Sequence, residues 1–347
     1  MSILGKNIFV IMQNRKIKNE NQVILFDLIR KTWQKNIALV DEVSELLGLG
    51  TTATYRRMRG DKPISLEETV KLCRHFNISM DSLVGVTHKN HIQCRYAPLN
   101  LSDITDFITF VQVSSNNFED TRLTPGGEII LSAVDVPIFN ILPYKELTLF
   151  KLFSWSKSVY DFTADYETFV NEVEKIESLN KNYEIILNSY HLVPSTEIWT
   201  DSTIDAVLRL LSYHSEMKHF SDDKIPVTLC EQLLDLIDTL QKWAEKGTKG
   251  SKDTSFKFYV SETYIANTFI LFKKGKKTNC LIKLYTINGL GISDERFCKE
   301  TENWLQKSIQ QATLISGASE KERFKFFSGQ RKKVTDLIDK IQSDFRR

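Results

Sequence analysis

Within nine residues, from 51 to 59, the chain gathers Thr51, Thr52, Tyr55, Arg56, Arg57 and Arg59, side chains whose joint chemistry suits a DNA groove. A guanidinium pairs bidentately with guanine O6 and N7, threonine meets a thymine methyl or a base edge, and tyrosine reaches a base edge or a phosphate. On a helix advancing about 100° per residue, Thr52, Tyr55, Arg56 and Arg59 fall within about a third of the circumference, while Thr54 and Met58 lie opposite. One face packs and the other is free to read. Thr51 or Thr52 opens this helix, and Arg57 stands beside the reading face.

Other chemistry has little support. There is no Gly-x-Ser-x-Gly, no His-Glu-x-x-His and no paired Cys/His arrangement, so the expectation is a protein that is not an enzyme and has neither cofactor nor metal. Cys73, Cys94, Cys230, Cys280 and Cys298 are odd in number, widely spaced and without a CxxC pair, which fits a reduced cytoplasmic interior. Lys273 to Thr278 lacks the glycine spacing of a phosphate loop and reads as a hairpin turn. Gly289-Leu290-Gly291 lacks the third glycine of a dinucleotide fingerprint and reads as a turn.

The elements that must position the six side chains follow from apolar spacing and capping signals. Leu25, Leu28 and Ile29 stripe a first helix, and Leu39, Val43, Leu46 and Leu47 a short second one that stops at Gly48, where glycine permits a sharp turn. The third helix ends at Gly60, with Pro63 just beyond. Ser65 and Glu68 stand at capping-box spacing and open a fourth helix carrying Leu66, Thr69, Val70, Leu72, Cys73 and Phe76. Ile78, Met80 and Leu83, before Gly85, make a fifth. Residues 20–86 thus read as a five-helix DNA-binding domain.

The phrase from Gly48 to Gly60, with Pro63, Ser65-Leu66-Glu67-Glu68 and Phe76 to Leu83, resembles the lambda-repressor/Cro-like helix-turn-helix family of bacterial and phage regulators. The resemblance covers residues 39–85 closely and 22–85 loosely, and implies that Thr51 to Arg59 is the recognition helix. The sequence departs from the family at Thr54 and Arg57, where apolar residues are usual, so that Met58 takes over the packing and the contact face can rotate by one residue.

Beyond this domain, residues 87–100 read as a linker, 101–245 as a mostly helical domain, and 254–347 as an α+β portion after the linker-like stretch Lys246 to Asp253. Ile204, Val207, Leu208 and Leu211, and Leu229 to Trp243, repeat at three and four. An extended stretch at Glu128 to Val136 follows Pro125-Gly126-Gly127. Phe256 to Val260, Tyr264 to Phe272 and Asn279 to Ile287 suggest a three-stranded antiparallel meander, and two helices close the chain, one capped at Ser293 and one opened by Ser319 and Glu322. The fold class expected is mainly α with an α+β C-terminal part. Around Asp135 to Phe139 and Ile315 to Arg323 the chain resembles uncharacterised regulators of Bacteroidetes type, which implies no activity. The aromatic block from Phe139 to Phe162 reads as core, as a dimer interface or as the lining of a small ligand's site.

Charge separates the two parts. Residues 1–96 carry 15 Lys/Arg against 9 Asp/Glu, leaving 31 against 35 of the chain's 46 and 44. A basic module on a nearly neutral protein is what attraction to phosphates requires. The run Ile3 to Ile11 is too short to span a bilayer and lacks a cleavage site, so no membrane is expected, and Met12 is a candidate start. One recognition helix reads about half a turn of groove, so the reading is a homodimeric, cytoplasmic transcription regulator that binds double-stranded DNA, with a C-terminal dimerisation or effector region for a small molecule or a protein. The alternative is a protein-interaction or scaffold protein whose helix-turn-helix no longer binds DNA.

Overall fold

The structure, a computed structural model, describes residues 20–345 apart from 31–32, 34–36, 85–91, 97–103, 160–162, 175–183, 185, 223 and 286. The readings for residues 1–19, including Met12, lie outside them. The chain divides into two compact units, Met1–Gln93 and Cys94–Arg347. No helix among the described residues is long and apolar enough to cross a membrane.

The first unit contains helices α1 (20–30), α2 (Leu39–Leu47), α3 (Thr51–Met58), α4 (Leu66–His75) and α5 (Met80–Val84). Their apolar faces meet in a small core of Leu25, Phe26, Ile29, Val43, Met58, Leu72 and Phe76. Leu66, the first residue of α4, stays exposed instead.

In the second unit nine strands form one mixed sheet: β1 (Cys94–Tyr96), β2 (Glu128–Ala133), β3 (Ser195–Thr200), β4 (Thr248–Lys249), β5 (Thr254–Ser261), β6 (Phe269–Lys274), β7 (Lys277–Lys283), β8 (Gly289–Ile292) and β9 (Thr313–Leu314). The order is β1-β8-β7-β6-β2-β3-β5-β4, with β9 also on β5. β2, β3 and β5 are mutually parallel, whereas β6, β7, β8 and β1 continue antiparallel from β2.

The expected meander is therefore corrected. β5 does not pair with β6, because β2 and β3 lie between them, and Gly289 to Ile292 is a strand rather than a turn. The Lys273 to Thr278 segment does make the β6–β7 hairpin, Lys274 opposite Lys277, with Gly275 at φ 61°. Cys94 to Tyr96, read as linker, is the sheet's edge strand.

The helices of this unit are α6 (Ile104–Leu123), α7 (Ile138–Ile141), α8 (Lys145–Val159), α9 (Tyr166–Glu174), α10 (186–191), α11 (Asp205–Glu216), α12 (Lys224–Lys246), α13 (Glu295–Gln311) and α14 (Glu320–Phe345). They cover both faces, as a sheet with parallel central strands requires. Alternation along each strand divides the contacts: Ile129, Leu131 and Trp199 join the large core with α8, α11, α12 and α14, while Ile130 and Ile198 face Cys298 and Leu305 of α13. The described part of the aromatic block is core, with Phe139, Phe150, Phe153 and Trp155 all buried, while Tyr160 and Phe162 lie outside the described residues. Asp294, not Ser293, caps α13, accepting from Phe297 N at 2.8 Å. Ser319 precedes α14 at φ 52°, not in the extended conformation of an N-cap.

The stretch 246–253 is no linker either. Thr248–Lys249 pairs with β5, and Lys249 is buried, its ammonium donating to Ser195 Oγ at 2.7 Å and lying 3.4 Å from the Tyr190 ring centroid. Burial pushes the Lys249 ammonium down to about 7, against the pull of Glu197. Gly250, at φ 66°, lies so close to His191 that a Cβ would stand 2.8 Å from the histidine's own.

A second buried ionic group joins the end of β2 to α8. Lys151 donates to Asp135 at 2.9 Å, and Lys283 reaches the same carboxylate at 2.7 Å. Burial alone would raise the Asp135 carboxyl, but the two ammoniums hold it at about 2. An unfolded aspartate titrates near 4, so this stabilisation is complete above about pH 4 and is lost as pH falls towards 2. Removing the carboxylate strands two cations: Asp135→Ala should cost roughly 3 to 5 kcal/mol in urea unfolding at neutral pH. It should also flatten the acid limb of stability between about pH 4 and 2.

Candidate nucleic-acid interface

α2 ends where the sequence places its stop. Gly48 takes the left-handed conformation, φ 63° and ψ 40°, and its N–H donates to Glu45 O. Two residues later α3 begins at Thr51, with Gly50 at the N-cap and no side chain capping it. The first N–H groups of α3 are left open to an anion such as a backbone phosphate.

The inward face of α3 is fixed by polar contacts as well as by Met58. Thr54 is fully buried and its hydroxyl accepts from Ser44 Oγ at 2.9 Å, linking α3 to α2 across the turn. This hydrogen bond stands where the helix-turn-helix pattern has an apolar contact. Arg57, expected among the DNA-contacting residues, is buried instead: Nη2 lies 3.0 Å from Glu68 Oε1 and Nε donates to Glu68 Oε2 at 3.4 Å. The reason is geometric, because Arg57 lies only about 60° from Thr54 around the helix, on the packing side.

Glu68 serves a second purpose. Its Oε2 accepts from Ser65 N at 2.8 Å while Ser65 Oγ accepts from Glu68 N at 3.1 Å, the capping box of α4. One carboxylate thus starts α4 and holds α3. Gln22 of α1 holds the same end through the backbone: its Nε2 donates to Arg57 O at 2.6 Å and Lys62 O at 2.9 Å, and its Oε1 accepts from Ile64 N at 3.1 Å. Sequence reasoning passed over Gln22, although it stands at three, four and seven residues from Leu25, Phe26 and Ile29, on the buried stripe.

The outward face carries the remaining five residues. Thr51, Thr52, Tyr55, Arg56 and Arg59 are all exposed, with Tyr55 at 47%. The Arg56 guanidinium makes no hydrogen bond among the described residues. Arg59 caps α3 and its Nε lies 3.1 Å from Asp61 Oδ2, an exposed pair of little intrinsic strength that a phosphate can displace. At the opposite side, His75 of α4 lies 2.6 Å from Glu42 of α2, tying the scaffold helices to each other.

Because Arg57 is structural, its loss should act on stability and not on base preference. Glu68→Ala removes the carboxylate half of the capping box and strands the guanidinium, and should cost roughly 1 to 3 kcal/mol. Hydrogen exchange of peptides spanning residues 51–60 should quicken in that variant, and Glu68→Gln should recover part of the protection by keeping the cap.

No curated protein and no solved structure gave a match. Residues 25–116 match the BetR domain, running from α1 past Gln93 into α6. That family is one of helix-turn-helix-like DNA-binding domains, and the N-terminal part of the chain is similar to it in the region that builds and presents α3.

Proposed function

We propose that the chain is a sequence-specific transcriptional regulator of lambda-repressor/Cro-like type that lays α3 in the major groove of double-stranded DNA. The observation that carries this reading is the division of α3: Thr52, Tyr55, Arg56 and Arg59 share an exposed face, while Thr54, Arg57 and Met58 anchor the opposite one. The match of residues 25–116 to a DNA-binding family supports it. Arg56 reads a guanine, Tyr55 and Thr52 flank it, and Thr51 with the open N–H groups of α3 meets the backbone. A helix of this length covers about half a turn of groove, so two copies act on a palindrome as a cytoplasmic homodimer. The second unit supplies dimerisation and binds the effector, and no catalytic step is assigned to it.

Selection of bound fragments from random duplexes, followed by fluorescence anisotropy on the selected site, tests the reading. Affinity should fall steeply from low to moderate salt, and Arg56→Ala should cost roughly 1 to 3 kcal/mol, concentrated at one base position. Arg57→Ala should leave that base preference in place. A chain that binds no duplex at any salt concentration would be the interaction module and not the regulator.

A further inference from the structure

The parallel arrangement of β2, β3 and β5 leaves a cleft that none of the DNA-facing chemistry uses. All three strands end at the same rim of the sheet, at Ala133, Thr200 and Ser261. The chain leaving β5 must then cross the ends of β3 and β2 to enter β6, which lies beyond β2 and runs the other way. The connection 262–268 therefore arches over that rim, with α14 opposite it. Between them lies an open cleft of about 890 Å³, in the size range of small-molecule sites and at the carboxyl ends of parallel strands, where open α/β sheets bind ligands.

Its lining combines three chemistries. Arg209 of α11 and Lys325 of α14 are exposed cations that make no ion pair among the described residues, and Glu262 and Glu322 are carboxylates in the same condition. Asp201, by contrast, is already occupied, accepting from Gln330 Nε2 at 2.9 Å and lying 3.0 Å from Lys333. The apolar floor is Val134, Val260, Ile315 and the edge of the buried Phe326, and beside it stands Tyr264, 87% exposed on the crossing connection. A large aromatic side chain held in water beside unpaired charges of both signs fits a ligand that carries an anion, a set of hydroxyls and a flat ring. The turn after β3, Thr200 to Ile204, contains no glycine and so lacks the backbone cradle of a diphosphate.

We propose that this cleft binds a nucleoside monophosphate, with Arg209 and Lys325 on the phosphate, Glu262 and Glu322 on the ribose hydroxyls, and the exposed Tyr264 against the base. The proposal deepens, and rests on, the reading of the second unit as an effector-binding body. It is tested by isothermal titration of the full chain with AMP, GMP, CMP and UMP in the absence of DNA. At least one should give a saturable single-site isotherm, and the matching nucleoside without phosphate should bind about tenfold more weakly or worse. The Arg209→Ala/Lys325→Ala double variant should lose affinity to a similar extent at an unchanged melting temperature, since both side chains are exposed. No heat and no thermal shift with any of the four nucleotides would overturn the proposal, as would binding that the double variant retains in full or that inorganic phosphate competes away equally well. Anisotropy with the selected duplex on the same preparation separates the two readings. Duplex binding without nucleotide binding sinks the cleft assignment alone, and nucleotide binding without duplex binding sinks the DNA-reading role alone.

Discussion

A buried guanidinium has to be met by an anion, and for Arg57 in the first unit the anion is Glu68. Much of the candidate interface depends on that one pairing. Arg57 cannot turn outward without leaving the Glu68 carboxylate half-enclosed and losing its grip on the α3–α4 junction, so the pair fixes the rotation of α3 about its axis. Once that rotation is fixed, Thr52, Tyr55, Arg56 and Arg59 are outside by necessity. The pairing is not a large source of stability, because one guanidinium nitrogen, Nη1, is buried without a hydrogen-bond partner among the described residues. Its effect is orientation, which an apolar residue at the same position would supply less directionally.

The second unit uses the same physics at larger scale. Glu197 sits fully buried in β3, accepting from Tyr190 Oη and, at 3.1 Å, from Trp199 Nε1, and Lys249 compensates its charge from β4. Asp135 between Lys151 and Lys283 does the equivalent at the end of β2. Each group joins segments far apart in sequence: β3 with β4, and β2 with α8 and β7. Apolar packing would tolerate small slips between these elements, whereas a buried charge tolerates only the register in which its partner is present.

This explains what the sequence revealed and what it concealed. The helices of the first unit, the capping box at Ser65 and the left-handed stop at Gly48 are local: periodicity and caps depend on residues three or four apart. The apolar repeats of α11 and α12 were legible for the same reason. β3 was not, because Ser195-Thr196-Glu197-Ile198-Trp199-Thr200 is too polar to read as a buried central strand, and the partners that neutralise its polarity come from elsewhere. Lys246 to Asp253 looked like a linker for the complementary reason: nothing local announces that Lys249 will be buried against Tyr190 and Ser195. At the interface, the outward residues followed from the helical period, but Arg57 required knowing where Glu68 would stand, and Gln22 is a polar residue on a stripe read only for its apolar members.

Strand order was the least legible feature, and it is the one with the most consequence for the second unit. Consecutive strands in sequence usually pair, which is why β5, β6 and β7 suggest a meander. Here β2 and β3 are inserted between β5 and β6, and their polarity makes the rim at Ala133, Thr200 and Ser261 common to three strands. A meander would have closed that rim with a tight turn. The inserted pair instead makes residues 262–268 cross the ends of two strands, anchored by Ile265 in the core with Ile130 and Ile198 and by Thr268 Oγ1, which accepts from Val134 N at 3.2 Å. The cleft thus follows from topology rather than from any one side chain, and the exposed Tyr264 and the charges around it, unpaired among the described residues, are what the topology leaves lining that space.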